Sequence, residues 1–368
     1  MDQAELRAAP AVTVGRVLAE RWRLVREIGV GGTGTVFEAV DRAGARFAIK
    51  VLHPELARQH VARRRFQAES YAANRVGHPN AIAILDDGID PDGTVFLVME
   101  LLEGSSLTEL VGEARTLPLS VVARVASGVL DVLATAHDKG VVHRDVKPGN
   151  VFIGREGRVK LLDFGVARVS DRLGVSTITK PGTTVGTAEF MAPEQAAGRA
   201  EQIDALTDVW AVGATMFQLL TGRMVHEAWS GESAIITAAT RPAPPVRSIM
   251  PRLPAGIAHV IDRALSFERA QRWPNARAMR HALLLAVPDL IAAGEEPIST
   301  ETEPDGVRAS RRGGFTRSAE RSAPPAHPLP ARKAAGRVLL LASLVTLLSI
   351  GGLVLWYWLK QTALHAQH

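Results

Sequence analysis

The stretch "WRLVREIGVGGTGTVFEAVDRAGARFAIKVL", residues 22–52, decides the fold. Its glycines Gly29, Gly31 and Gly34 fit the spacing G-x-G-x-x-G. Two unrelated phosphate-binding designs use that spacing: one opens a helix in a dinucleotide-binding sheet, the other is a strand–turn–strand lid. It also occurs in glycine turns that bind nothing. The dinucleotide design needs a strand before the glycines, a helix after them and an acidic residue about 20 positions on. Here "WRLVREIG" reads as a strand, "TGTVFEAVD" as a second strand, "DRAGA" as a turn and "RFAIKVL" as a third strand. A helix beginning at Thr33 would carry another glycine and a β-branched cluster in its first turns, which is unfavourable. The hairpin reading therefore stands.

Outward from this stretch, the chain has 368 residues, 46 % of them hydrophobic and 22 % charged, ordinary values for a globular protein. It contains no cysteine, which excludes disulfides, thiolate-bound zinc and thiol catalysis. Its 11 histidines form no H-E-x-x-H pattern, so a zinc hydrolase has no support. The net charge of +5 fits nucleic acid, anionic lipid or phosphate ligands, and its location along the chain must decide.

With Val36 two residues after the last glycine and "AIK" twelve residues further on, the chain resembles the protein kinase superfamily. The likeness runs from about Trp22 to Leu285 with its motifs in order. It implies a two-lobed α+β fold, with a small, mostly antiparallel β lobe carrying one helix and a larger helical lobe. Lys50 then resembles the strand lysine that pairs with the ATP α- and β-phosphates. Ile28, Gly29, Gly31, Gly34, Val36 and Ala48 line the nucleotide from above. In "VARRRFQAESYAANRV", read as a helix, Glu69 would partner Lys50. In "VFLVMELLEG", read as a buried strand entering a linker, Met99 is the gatekeeper and the Glu100–Leu102 backbone meets adenine. Substituting Gly31 or Gly34 by Val is expected to weaken ATP use while leaving the fold intact.

The segment "LSVVARVASGVLDVLATAHDKG" reads as an amphipathic helix, with Ser120 as N-cap, Val121, Val125, Val129 and Leu133 as its stripe, and Lys139 and Gly140 ending it. It leads into "VVHRDVKPGN", residues 141–150, the most specific motif in the chain. Phosphoryl transfer needs an acceptor for the substrate hydroxyl proton, a role that fits Asp145. It needs hard oxygen ligands for Mg2+ or Mn2+, which Asn150 and Asp163 provide. By resemblance, Lys147 supplies positive charge to the transferred group.

"VKLLDFG" ends in Asp163-Phe164-Gly165, and a long Thr-rich loop follows. Ala192, Pro193 and Glu194 close it. The resemblance implies that Glu194 anchors to Arg272, that Thr187 contacts the catalytic Asp, and that Arg144 binds a phosphate on the loop. Autophosphorylation is expected within Thr177–Thr184, at Thr183 and Thr184 above all. "TDVWAVGATMFQLLTG" is apolar nearly all round and reads as a buried helix, whose Asp208 would brace the catalytic loop. Phe190 departs from the pattern, standing where a Tyr is more usual.

The closest resemblance is to membrane-anchored serine/threonine kinases of bacteria. No Lys, Asp or metal ligand is missing, which opposes the alternative of a membrane-anchored pseudokinase scaffold. The A-P-E segment and the Thr-rich loop oppose a small-molecule phosphotransferase of the same fold. The hairpin and the missing ribose-binding acid oppose a dinucleotide oxidoreductase.

Residues 1–21 read as an N-terminal extension without a signal peptide, 22–286 as the kinase domain and 287–337 as a disordered, Pro- and Arg-rich linker. "VLLLASLVTLLSIGGLVLWYWL", residues 338–359, carries no charge. Its 22 residues would span about 33 Å as a helix, against a hydrocarbon core of about 30 Å. Arg332, Lys333 and Arg337 precede it and Trp356, Tyr357 and Trp358 lie near its end, which predicts a cytoplasmic N-terminal side. Residues 360–368 would be a short extracytoplasmic tail. The positive charge then faces anionic lipid at the cell membrane, with no need for nucleic acid. Expected partners are ATP, protein substrates, the membrane and a second copy for trans-autophosphorylation.

Overall fold

In a computed structural model, residues 12–112, 115–164, 185–227 and 231–288 are described. All of them fall in the first of two units, Met1–Glu303; the second is Pro304–His368. Linker residues 289–337, the 338–359 segment, the tail, Gly165, Thr183 and Thr184 lie outside the described residues, while Val287 and Pro288 follow the last helix.

The first half of the described chain is β-rich. Strands β1 (Val17–Leu18), β2 (Trp22–Val30), β3 (Gly34–Val40) and β4 (Arg46–Leu52) lead to helices α1 (Pro54–Ala57) and α2 (His60–Val76). Strands β5 (Ile84–Ile89) and β6 (Val95–Glu100) follow. The six strands form one antiparallel sheet in the order β1-β2-β3-β4-β6-β5. The hairpin read from the glycine stretch is therefore present. Period-two alternation sorts its residues onto two faces. Phe37, Ala39, Ile49 and Val51 pack with Trp22, Leu24 and Phe96, while Val36, Ala48 and Met99 join a second cluster and Leu52 a third, with Phe66 and Leu97.

Gly34 answers to a steric demand. A Cβ there would lie 2.2 Å from the Val51 carbonyl oxygen, far inside contact distance. This corrects the expectation for Gly34→Val, because the β3–β4 ladder would have to shift. A Cβ on Gly31 meets only the Gly34 oxygen, at 3.6 Å, so Gly31→Val remains a clean probe of the lid.

Residues ahead of β2 are bound to the sheet. Arg16 Nη2 donates to Asp90 Oδ2 at 2.7 Å and Asp92 Oδ2 at 2.6 Å, and the Ala19 N–H donates to Asp90 Oδ1 at 2.7 Å. These bonds tie the extension to the β5–β6 turn.

The second half is helical. A small sheet of β7 (Gly104–Ser106), β8 (Val151–Gly154) and β9 (Val159–Leu161) accompanies helices α3 (Leu107–Val111) and α4 (Leu119–Asp138). Then come α5 (Pro193–Ala196), α6 (Ala205–Thr221), α7 (Gly231–Thr240), α8 (Ala255–Ala264) and α9 (Ala276–Ala286). Helix α6 is the hydrophobic axis: Val209, Trp210, Val212, Met216, Phe217 and Leu219 are all buried. Asp204 caps it, accepting from the Leu206 N–H at 2.8 Å.

Helix α4 buries Val122, Val125, Val129, Leu130, Val132 and Leu133, a wider face than the four-residue stripe. Among the described residues it is the one helix long and apolar enough to cross a membrane, and half of its apolar window is buried in this core. Its N-cap is Pro118, not Ser120. Pro118 has φ −57° and ψ 144°, so its fixed φ and extended ψ set the helix start at Leu119. Ser120 is thereby carried inside the first turn.

Candidate active site

Lys139 ends α4, and Gly140 takes φ +70°, which turns the chain into the 141–150 loop. This loop hangs on Asp208 of α6. Asp208 is fully buried and accepts from the His143 N–H at 2.8 Å and the Arg144 N–H at 2.7 Å. A third contact, at 2.7 Å, is to His137 Nε2. Burial alone would raise the Asp208 pKa; hydrogen bonds and charge from His137 outweigh it and hold the carboxyl below its usual range. Arg144 sits at φ +68°, a strained position for a residue with a side chain. The bonds to Asp208 hold it there, and Gln195 Nε2 donates to the Arg144 carbonyl at 2.9 Å.

The next residue is Asp145. Its N–H donates to His143 Nδ1 at 3.3 Å, which leaves the His143 proton on Nε2, bonded to the Leu162 carbonyl at 2.8 Å. Burial pushes the His143 pKa down, so the ring is a neutral strut. Asp145 Oδ2 accepts from Lys147 Nζ at 2.9 Å and Asn150 Nδ2 at 3.1 Å. Asn150 Nδ2 also reaches the Asp145 carbonyl at 2.8 Å. With its nitrogen committed, the Asn150 amide keeps its oxygen for a cation.

Lys50 on β4 is buried, and its Nζ lies 3.0 Å from Asp163 Oδ1. Asp163 takes φ +48°, a second strained residue at the site. Phe164, the next residue, is fully buried with its ring 4.8 Å from that of His143. The structure thus brings Lys50 and Asp163 together, and separately Asp145, Lys147 and Asn150. Glu69 is on α2, but its side chain lies outside those described; the same holds for Thr187, in a 3-10 helix at Val185–Phe190. Phe190 is buried in the core.

Above the cleft, Val36 pairs with Lys50 and Ala48 with Met99 in the sheet register. Ile28 is partly exposed at the end of β2. The Glu100 N–H donates to the Ala83 carbonyl at 3.1 Å. Leu102 makes no backbone hydrogen bond among the described residues, so its N–H and C=O are open to an adenine edge. The Glu100 side chain faces away, accepting from Lys160 Nζ at 2.5 Å and the Ala83 N–H at 2.8 Å.

Glu194 and Arg272 form a buried bidentate pair, at 2.8 Å and 2.9 Å. Burial alone would raise the Glu194 pKa, but the bonds and charge of Arg272 outweigh it and lower it. Four contributors escaped the sequence reading: His137, Gln195, Lys160 and His53. Each acts through a partner distant in sequence or through the backbone, and no local spacing announces such a role.

Among the described residues no three His, Asp or Glu side chains cluster as a metal cage. A magnesium site of one carboxylate, one amide oxygen and nucleotide phosphates needs none. The Asn150 side-chain oxygen, which accepts no hydrogen bond among the described residues, and the Asp163 carboxylate fit such an ion.

A profile of the protein kinase domain matches residues 22–284, and the chain belongs to that family. Its relatives include the serine/threonine-protein kinase Pkn1 of Myxococcus xanthus, 38 % identical over 297 residues, covering 79 % of this chain and 41 % of that protein. The serine/threonine-protein kinase PksC of Streptomyces coelicolor is 39 % identical over 289 residues, covering 76 % of this chain and 51 % of that protein. The crystal structure of the Mycobacterium tuberculosis PknI kinase domain matches with a TM-score of 0.59 and 27 % identity, covering 76 % of this chain and 100 % of that domain. The chain spans about half or less of the length of these curated relatives.

Proposed function

We propose that this chain is a serine/threonine protein kinase that transfers the ATP γ-phosphate to protein hydroxyls. The observation that carries the reading is the Asp145–Lys147–Asn150 cluster, held by buried Asp208, together with the Lys50–Asp163 pair. Asp145 accepts the proton of the attacking hydroxyl, and its bond to Lys147 aims the carboxylate. Lys147 turns to the transferred phosphoryl group as negative charge develops on it. Lys50 orients the α- and β-phosphates, and the open backbone groups of Leu102 take the adenine edge. Asn150 and Asp163 would hold Mg2+ or Mn2+, which neutralises phosphate charge when bound.

The activation loop is proposed to carry phosphate within Thr177–Thr184, at Thr183 or Thr184. Among the described residues the Arg144 Nε is buried without a hydrogen-bond partner, and burial lowers the Arg144 pKa even against the pull of Asp208. A phosphate within reach would satisfy that guanidinium. Two copies phosphorylating each other would load the loop. The uncharged segment 338–359 and the arginines before it support a single-pass anchor in the cell membrane. The kinase domain would then be cytoplasmic and act in membrane-associated signalling.

The test compares wild type with Asp145→Asn in ATP-dependent phosphorylation and maps the phosphosites. Wild type is expected to label protein hydroxyls and its own loop, and the variant neither. An unmodified loop in fully active enzyme would sink the autophosphorylation proposal alone.

A further inference from the structure

The tip of the glycine-rich lid is held by one residue that no part of the kinase reading uses. His53 is the first residue past β4. Its backbone N–H donates to the Thr33 carbonyl at 3.0 Å. Its side-chain Nε2 lies 2.8 Å from the Gly31 carbonyl oxygen. A carbonyl oxygen only accepts, so Nε2 carries the proton and donates it. Within the tip, the Gly31 N–H donates to the Gly34 carbonyl at 2.9 Å.

A planar trans peptide points its C=O and the following N–H in opposite directions. Holding the Gly31 carbonyl on His53 therefore turns the Gly32 N–H away from His53. The Thr33 carbonyl, bonded to the His53 N–H, turns the Gly34 N–H away in the same manner. A phosphate is bound by N–H groups and repelled by carbonyl oxygens. Glycine peptides rotate easily, so an unlatched tip samples both orientations. We propose that His53 is a positioning residue for the lid: its imidazole keeps the Gly31 carbonyl turned off the nucleotide phosphates, so that the lid closes on ATP with N–H groups forward.

The inference rests on the kinase reading, and its test separates the two. The full chain is compared with His53→Leu and His53→Gln, measuring KM for ATP, kcat, Mg–ATP affinity by calorimetry and thermal stability. His53 is partly exposed and its backbone bond survives both changes, so melting should stay within about 2 °C. His53→Leu is expected to raise KM and the ATP dissociation constant about 3- to 10-fold, the worth of one hydrogen bond, with kcat within about twofold. His53→Gln, whose amide nitrogen can occupy the Nε2 position, is expected to restore both to within about twofold. Unchanged ATP affinity in His53→Leu overturns the latch. So does an equal loss in His53→Gln, which would make the role steric. If wild type binds ATP but transfers no phosphate, the kinase reading fails while the affinities still decide the latch.

Discussion

Arg272→Met should strongly destabilise the helical lobe, and the structure sets the scale. The Arg272 guanidinium is fully buried and donates to both Glu194 oxygens, at 2.8 Å and 2.9 Å. It also donates to the carbonyls of Ser266 at 2.9 Å and Leu206 at 3.0 Å. Met fills much of the volume but leaves Glu194, which is 2 % exposed, as a buried anion with Thr207 Oγ1 at 2.8 Å and Arg269 Nε at the longer distance of 3.9 Å. Breaking one side of a buried pair costs about 3–5 kcal/mol. For a domain of this size that lowers the melting temperature by about 6–20 °C. Urea unfolding followed by tryptophan fluorescence gives the free energy directly.

The pH dependence carries a sign. In wild type, Arg272 outweighs burial and holds the Glu194 pKa low. That stability is present above the unfolded carboxylate range and is lost as pH falls through the lowered value. In Arg272→Met burial is opposed only by the hydrogen bonds from Thr207 and the backbone and by Arg269 at 3.9 Å, so the Glu194 pKa rises from its wild-type position and protonation relieves the buried charge. The gap between wild type and variant should therefore narrow as pH falls from neutrality toward the carboxylate range. Glu194→Leu combined with Arg272→Met should be less destabilised than Arg272→Met alone, because no charge is left buried. A loss below about 1 kcal/mol, or a double variant that costs the sum of the singles, would refute this account of the pair.

Two further outcomes are expected. Asp208→Asn replaces one of the two acceptor oxygens by an amide nitrogen, so either the His143 or the Arg144 N–H loses its acceptor, misplacing Asp145; kcat should fall about 100-fold with KM for ATP within a few-fold, read in steady-state kinetics. Truncation after Arg337 should release a soluble, active kinase domain from the membrane fraction; misfolding of the truncated chain would show that residues 338–359 belong to the core.

The lid hairpin and the catalytic loop were legible because each is local: glycine spacing, strand alternation and one run of polar residues carry them. Glu194–Arg272 and Asp208 were legible only through resemblance, since their partners lie 78 and about 65 positions away. His53, Gln195 and Lys160 were not legible, because each works on a backbone carbonyl or on a partner in another element. Sequence spacing has no term for such contacts. The start of α4 was misjudged because Ser120 has the better capping side chain, whereas the fixed φ of Pro118 sets the boundary. The demand on Gly34 also came from outside its own strand, through the close approach of Val51.

The central claim is tested most directly by following phosphate from γ-labelled ATP and Mg2+ to a generic basic protein, with phosphoamino-acid analysis of the product. Purified wild type should yield phosphoserine and phosphothreonine. Asp145→Asn, folded to the same melting temperature, should lose at least about 100-fold in rate. A well-folded wild type that binds ATP yet transfers nothing, or an Asp145→Asn variant as active as wild type, would contradict the account.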